Sequence, residues 1–270
     1  MIEIGIDPVA VSIGSIELRW YGIMVSLAIF TGVVVPVMLA KRDGLGGVTR
    51  DQILSIAIWG VIGGLIGARL IHVFDEWDYF ADHPGEIIGG AGLGIYGGIL
   101  GGTLAGAIYA RIKGFPVGKL CDISAFGMIL AQVVGRIGCV LNGCCYGTPT
   151  GLPWGFVWTN PDSDGYADTY RAGVKVHPTQ IYELLWDLVV FALIWSLRNR
   201  IKRPGVIYLI YISAYSIGRF TISFWRENHQ GFLGLQQAQI VSLAVLAVAL
   251  GLMVYIYRKP PPETDQAPDL

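Results

Sequence analysis

The chain has 270 residues, 53% of them hydrophobic and 14% charged, a formal net charge of −1 and a mean hydropathy of +0.56. A soluble domain carries about a quarter charged residues, so this composition argues against a soluble protein. The missing basic excess argues against a nucleic-acid partner, because phosphate is met by a positive field, and four cysteines are too few for a disulfide scaffold in a chain this long.

Met1 to Leu18 carry Glu3, Asp7 and Glu17, with no lysine or arginine before Arg19. That charge is wrong for the start of a signal peptide, so no cleaved leader is expected. Residues 1–19 alternate apolar and polar side chains (Val9, Val11, Ile13, then Ile16, Leu18), which predicts a short hairpin. Apolar stretches then recur over 20–40, 51–74, 89–110, 118–141, 178–198, 205–224 and 236–257. Each is near the ~20 residues a helix needs to cross a bilayer.

Basic residues follow every other span: Lys41, Arg42 and Arg50; Arg111, Lys113 and Lys119; Arg198, Arg200, Lys202 and Arg203; Arg258 and Lys259. The intervening loops are acidic, with Asp75, Glu76, Asp78, Asp82 and Glu86, then Asp162, Asp164 and Asp168. Basic loops stay in the cytoplasm. The pattern predicts an all-α integral membrane protein of seven transmembrane helices, N-terminus outside and C-terminus cytoplasmic. One transmembrane domain is expected over 1–258, with an outer head segment over about 147–176 between the fourth and fifth spans. The polar, proline-rich residues 259–270 read as a disordered tail.

Ionisable residues inside spans are costly and default to functional candidates. Arg69, His72, Arg136, Arg219, Glu183 and Asp187, with Arg226 and Glu227 at a span edge, gather in the outer half of the expected membrane. Arg69 pairing with Glu183 to join the second and fifth spans is a structural alternative. Arg136 and Arg219, with few acids nearby, point instead to an anion such as phosphate, which a planar guanidinium grips bidentately. Gly94, Gly98, Gly102 and Gly106 fall four apart on one face of the third span, with Gly97 and Gly101 beside them, and the second span adds Gly60, Gly64 and Gly63, Gly67. Such ladders allow close helix packing, or line a groove for a lipid chain.

The segments Arg19-Trp20-Tyr21-Gly22, Gly94-Ile95-Tyr96-Gly97-Gly98, Gly135-Arg136-Ile137-Gly138-Cys139-Val140-Leu141-Asn142-Gly143 with Gly147, His177-Pro178-Thr179-Gln180-Ile181-Tyr182-Glu183 and Gly218-Arg219-Phe220 occur in this order. Together they resemble the prolipoprotein diacylglyceryl transferase family over nearly the whole chain. The resemblance implies an enzyme of the bacterial inner membrane with its site toward the outer leaflet. It would move the diacylglyceryl group of phosphatidylglycerol onto the lipobox cysteine of a prolipoprotein, without metal or organic cofactor. It places Arg136, Arg219, Tyr96 and Tyr21 in catalysis. Arg136, Asn142, Gly147, Gly97, Gly98, Arg226 and Glu183 fall at substrate-binding positions, Glu183 with a structural alternative.

Three positions depart from the family pattern. Tyr96 stands where many members have histidine, the proposed base for the thiol; Cys139 stands for asparagine and Ser223 for glutamate. Tyr96 then either handles the thiol proton, its acidity raised by nearby arginines, or only hydrogen-bonds lipid oxygens. Cys139, Cys144 and Cys145 follow a C-x4-C-C spacing rather than a zinc-type pair, and packing thiols or a disulfide are expected there. A non-catalytic binder of anionic lipid and a small-solute transporter are the rival classes. No paired halves with matching broken helices support the transporter.

Overall fold

The structure is a computed structural model and describes residues 1–14, 16–42, 48–88, 94–226 and 234–259. Asp43, Glu227, His229, the first residues of the third expected span and all of the expected tail but Lys259 lie outside them. The chain is mostly helical, and the long helices fall where the hydropathy placed the spans: α1 (Trp20–Arg42), α2 (Arg50–Asp75), α4 (Ile95–Ile112), α5 (Val117–Asn142), α6 (Thr179–Leu197), α7 (Val206–Ile222) and α8 (Gln237–Arg258). A short α3 (Trp77–Asp82) follows α2. Six of the long helices are long and apolar enough to cross a membrane. The remaining one, α4, has 18 described residues.

Residues divide into two compact units, Val33–Ser124 and the combination of Met1–Gly32 with Ala125–Leu270. In the first, α2 begins with a capping box in which Thr49 and Gln52 satisfy each other's backbone N–H groups. The α2 and α4 backbones approach so closely that a Cβ on Gly101 would lie 2.9 Å from the Cα of Gly67. The glycine ladder therefore packs helix on helix, and dispersion between backbones replaces side-chain interdigitation. The Gly94 N–H donates to the Ala68 carbonyl at 2.9 Å, seating the start of α4 on α2. Arg69 donates to the Glu86 and Ile87 carbonyls at 2.5 and 2.8 Å and lies over the Phe80 ring. It thus holds the acidic loop, and the carboxylate of Glu183 is met by other arginines.

In the second unit, the expected N-terminal hairpin forms: β2 (Val9–Ile13) pairs antiparallel with β3 (Ile16–Arg19). Ahead of it, β1 (Ile2–Ile4) pairs in parallel with β4 (Phe156–Trp158), register Ile2 to Phe156. Ile4, Phe156, Trp158 and Val176 form a small core, with Val140 and Ile181 packed against it. The segment between α5 and α6 is thereby closed by the chain's own N-terminus. Within the helices, Gly218 of α7 lies under the Trp186 indole, whose N–H donates to the Ala214 carbonyl at 2.9 Å. Phe126 of α5 meets Phe191 and Trp195 of α6 edge-on. These contacts join α6 to α7 near their polar residues, and α5 to α6 further along.

Candidate active site

Glu183, on the second turn of α6, is the centre of a buried ion cluster. Arg219 from the end of α7 and Arg226 just beyond it reach one carboxylate oxygen at 2.6 and 2.7 Å, and Arg136 from α5 binds the other. All four side chains are nearly inaccessible, at 4–12% exposure. Asp187 lies one turn further along α6 and is also buried. Arginine stays charged in proteins. Among the described residues three guanidiniums face two carboxylates here, and removing charge from water is expensive unless a partner compensates it. The cluster is a three-helix clasp.

A turn at the end of α5 builds the adjoining part of the site. Gly143 has φ +76°, its N–H meets the Val140 carbonyl, and the Cys144 N–H meets the Cys139 carbonyl at 3.1 Å. This is a Schellman termination, in which glycine takes the left-handed position without a Cβ penalty. It folds Cys144 back beside Cys139. Cys145 follows at φ +64°, the one non-glycine residue with positive φ among the described residues. The three sulfurs come to lie within 4.8 Å of one another. Hydrogen bonds from the Cys139 and Cys144 thiols, aided by the charges of Arg226 and Arg136, hold the Cys145 thiol well below the usual thiol range.

The motif His177–Gln180 clamps this turn. The Gln180 side-chain amide donates to the Cys144 carbonyl at 2.7 Å and the Thr179 hydroxyl to the Cys145 carbonyl at 2.9 Å. The Gly147 N–H donates to the His177 carbonyl, and the Thr148 N–H to the Trp225 carbonyl, both at 2.8 Å. A Cβ on Gly147 would strike the Trp225 carbonyl and sit 2.8 Å from Thr179 Cγ2, so only glycine fits. His177 Nδ1 lies 3.3 Å from the Tyr182 hydroxyl. Burial pushes its imidazole below the ordinary range and favours the neutral ring. The motif's roles as a clamp were not read from the sequence, although a Thr-Gln pair at a helix start is a signal that its side chains serve the backbone.

The other expected residues are placed as follows. Asn142 donates to the Asp164 carboxylate at 2.6 Å and ties the α5 terminus to the following segment. Tyr21 is in the first turn of α1, which packs on α5 where Gly138 leaves room: a Cβ there would be 2.8 Å from Met24 Cβ and 3.6 Å from the Tyr21 ring. Tyr21 is close enough to Arg136 and the three cysteines to interact electrostatically. Arg136, Arg219, Arg226 and Glu183 are thus brought together, with Asn142, Gly147 and Tyr21 around the same turn of chain. Tyr96 is buried at the start of α4 in the other unit. Gly97 there is accounted for by packing, since a Cβ would be 2.8 Å from Ile71 Cγ1, whereas Gly98 has more room, 3.7 Å from the Ala68 Cβ.

Long apolar helices with three buried arginines converging on one carboxylate define a helical membrane protein. The chain belongs to the prolipoprotein diacylglyceryl transferase family, whose model matches residues 8–255. It is similar to the phosphatidylglycerol–prolipoprotein diacylglyceryl transferase of Dehalococcoides mccartyi, 41% identical over 259 residues that cover 96% of this chain and 97% of that one. The enzymes of that name from Clostridioides difficile (37% identity, 93% of this chain and 95% of that one) and a Nostoc species (37% identity, 97% and 93%) are also similar.

Proposed function

We propose that this protein is a phosphatidylglycerol–prolipoprotein diacylglyceryl transferase. The observation that carries the reading is the convergence of Arg136, Arg219 and Arg226 on Glu183, in a chain 41% identical to a relative of that name. In the reaction, the acceptor cysteine sulfur attacks the glycerol carbon that bears the phosphate of phosphatidylglycerol. A C–S bond forms, the C–O bond to phosphate breaks, and its electron pair leaves on glycerol phosphate. The thiol proton goes to the medium. Guanidiniums already fixed in a dry site stabilise charge as it builds on the departing phosphate, with no reorganisation at that moment. Glu183 holds the three forks apart and pointed inward until the phosphate arrives. Arg136 and Arg219 act on the phosphate, and Arg226, Asn142 and Gly147 shape its surroundings. Tyr21 borders the donor lipid and hydrogen-bonds its oxygens; by family resemblance Tyr96, Gly97 and Gly98 also serve that lipid.

The topology belongs to the same reading: α4 is a seventh span, the basic loops face the cytoplasm of a bacterial inner membrane, and the segment around 147–176 is an outer head. Purified full-length protein incubated with phosphatidylglycerol and a lipobox peptide should yield a peptide carrying thioether-linked diacylglyceryl, together with glycerol phosphate. Unmodified peptide under these conditions, from protein that is folded and lipid-reconstituted, would leave only an anionic-lipid binder.

A further inference from the structure

The acceptor presents a difficulty that the arginines do not solve. A free cysteine thiol has a pKa of about 8.5, and only its thiolate is a good nucleophile. At the position where many members of the family carry histidine, this chain has Tyr96, whose phenol is a poor base at neutral pH. Something else must supply the thiolate.

The same chain that lacks the imidazole has three cysteines converging on one point. Their sulfurs lie within 4.8 Å of one another, and sulfurs bound tetrahedrally at about 2.3 Å from one zinc ion lie roughly 3.8 Å apart. Side-chain adjustments of about an ångström therefore close the cluster around an ion. The C-x4-C-C spacing disguised this, because the Schellman turn returns Cys144 to Cys139 and the left-handed Cys145 turns back toward both. Gln180 and Thr179 grip the carbonyls of Cys144 and Cys145. Fixing the backbone behind the ligands is the task of outer-shell partners in metal sites.

We propose that Cys139, Cys144 and Cys145 form a three-thiolate site for a zinc-class cation, and that the open fourth position binds the sulfur of the acceptor cysteine. Three protein ligands with one open position are the signature of a catalytic rather than a structural zinc. A thiol that coordinates such an ion is deprotonated outright. The acceptor's S–H proton leaves to solvent as its sulfur–metal bond forms, and a sulfur lone pair then forms the C–S bond as phosphate departs. The product thioether is a weak ligand and dissociates. No electron transfer is involved. Three thiolates and a divalent cation carry one net negative charge, and a bound acceptor thiolate makes it two. Arg136 and Arg226, both within electrostatic range of Cys145, compensate that charge. The proposal rests on the transferase reading for its acceptor, but the metal site is testable by itself.

The experiment uses full-length protein, reduced and stripped of metal, then titrated with Zn²⁺ or Co²⁺. One equivalent should bind, and the cobalt form should show sulfur-to-cobalt charge transfer with tetrahedral ligand-field bands. A lipobox peptide should shift those bands, and its Cys→Ser counterpart should not. Changing Cys139, Cys144 and Cys145 together to serine should abolish binding, while Cys121→Ser, on the same helix, should retain it. The wild-type spectra stand even where the triple variant does not fold. At pH 7, metal-free protein should transfer about thirtyfold more slowly than the zinc form, with the gap closing toward pH 9 as free thiolate appears. Failure of reduced protein to bind, a cobalt spectrum without sulfur, or equal effects of the two peptides would overturn the proposal. So would equal rates with and without metal, which would leave the transferase reading standing. Peptide-dependent spectra without any transfer would support the thiol-binding metal site and sink the transferase reading instead.

Discussion

Arg219 and Glu183 meet at 2.6 Å between the end of α7 and the start of α6, with both side chains under a tenth exposed. Their bond belongs to a cluster in which three guanidiniums converge on one carboxylate, so its geometry joins the helices and gathers cationic groups at one point.

Replacing Arg219 or Arg136 by alanine should lower the transfer rate more than a thousandfold. A single contact to developing negative charge is worth roughly 2.7–4 kcal/mol, and two guanidiniums act together here. Lysine should rescue poorly at either position, because an ammonium lacks the planar fork. Rates on folded, reconstituted protein decide the matter; near-normal transfer by Arg219→Ala would remove the arginine from catalysis.

Glu183→Gln separates clasp from catalyst. The variant leaves three buried arginines without their shared counterion, and breaking a buried pair costs about 3–5 kcal/mol. Thermal unfolding should show the loss, and inorganic phosphate should restore more stability to the variant than to the wild type, since a ligand stabilises the state that binds it. Phosphate without effect on either protein would contradict an anion site.

Gly147→Ala should destabilise by about 1–3 kcal/mol through overpacking, because the new methyl meets the Trp225 carbonyl and the Thr179 side chain. Gly135→Ala offers the contrast: a Cβ there meets nothing within 4 Å, and alanine favours the helix by about 1 kcal/mol. Equal stability changes for the two variants would mean that the approach of residue 147 to Trp225 is not what it constrains.

Single cysteines at Gly114 and Asp162 in a cysteine-free background test the orientation. An impermeant maleimide added to intact cells should label position 162 and spare position 114. Labelling of 114 alone, or of both in sealed cells, would refute cytoplasmic basic loops.

Tyr96→Phe removes one hydroxyl and keeps the ring. With a metal supplying the acceptor thiolate, the loss should stay below about tenfold, whereas general acid–base catalysis contributes about a hundredfold or more. A hundredfold fall would return the thiol proton to the phenol, as the family comparison of position 96 first suggested, and Tyr96→His should then retain much of the rate.

Much was determined by the sequence alone. The positions of the long helices follow from hydropathy, which is a local property: in lipid a backbone must satisfy its hydrogen bonds within its own segment, so each apolar stretch declares itself a helix independently of the rest. The hairpin at Val9–Arg19 and the glycine ladder between α2 and α4 are periodic signals of the same kind. The arginines were legible because a charge inside an apolar stretch demands a reason. Their partner was not. Arg69 and Arg226 are both plausible mates for Glu183 in one dimension, and only the packing of α6 against α7, through Trp186 over Gly218, decides which guanidiniums reach the carboxylate. The pairing of β1 with β4 likewise joins residues more than 150 positions apart, beyond any local pattern. The cysteines are the sharpest case. Their linear spacing argued against a metal, but a glycine-ended helix and one left-handed residue reverse the chain within six positions, and dihedral angles rather than spacing set the distance between sulfurs.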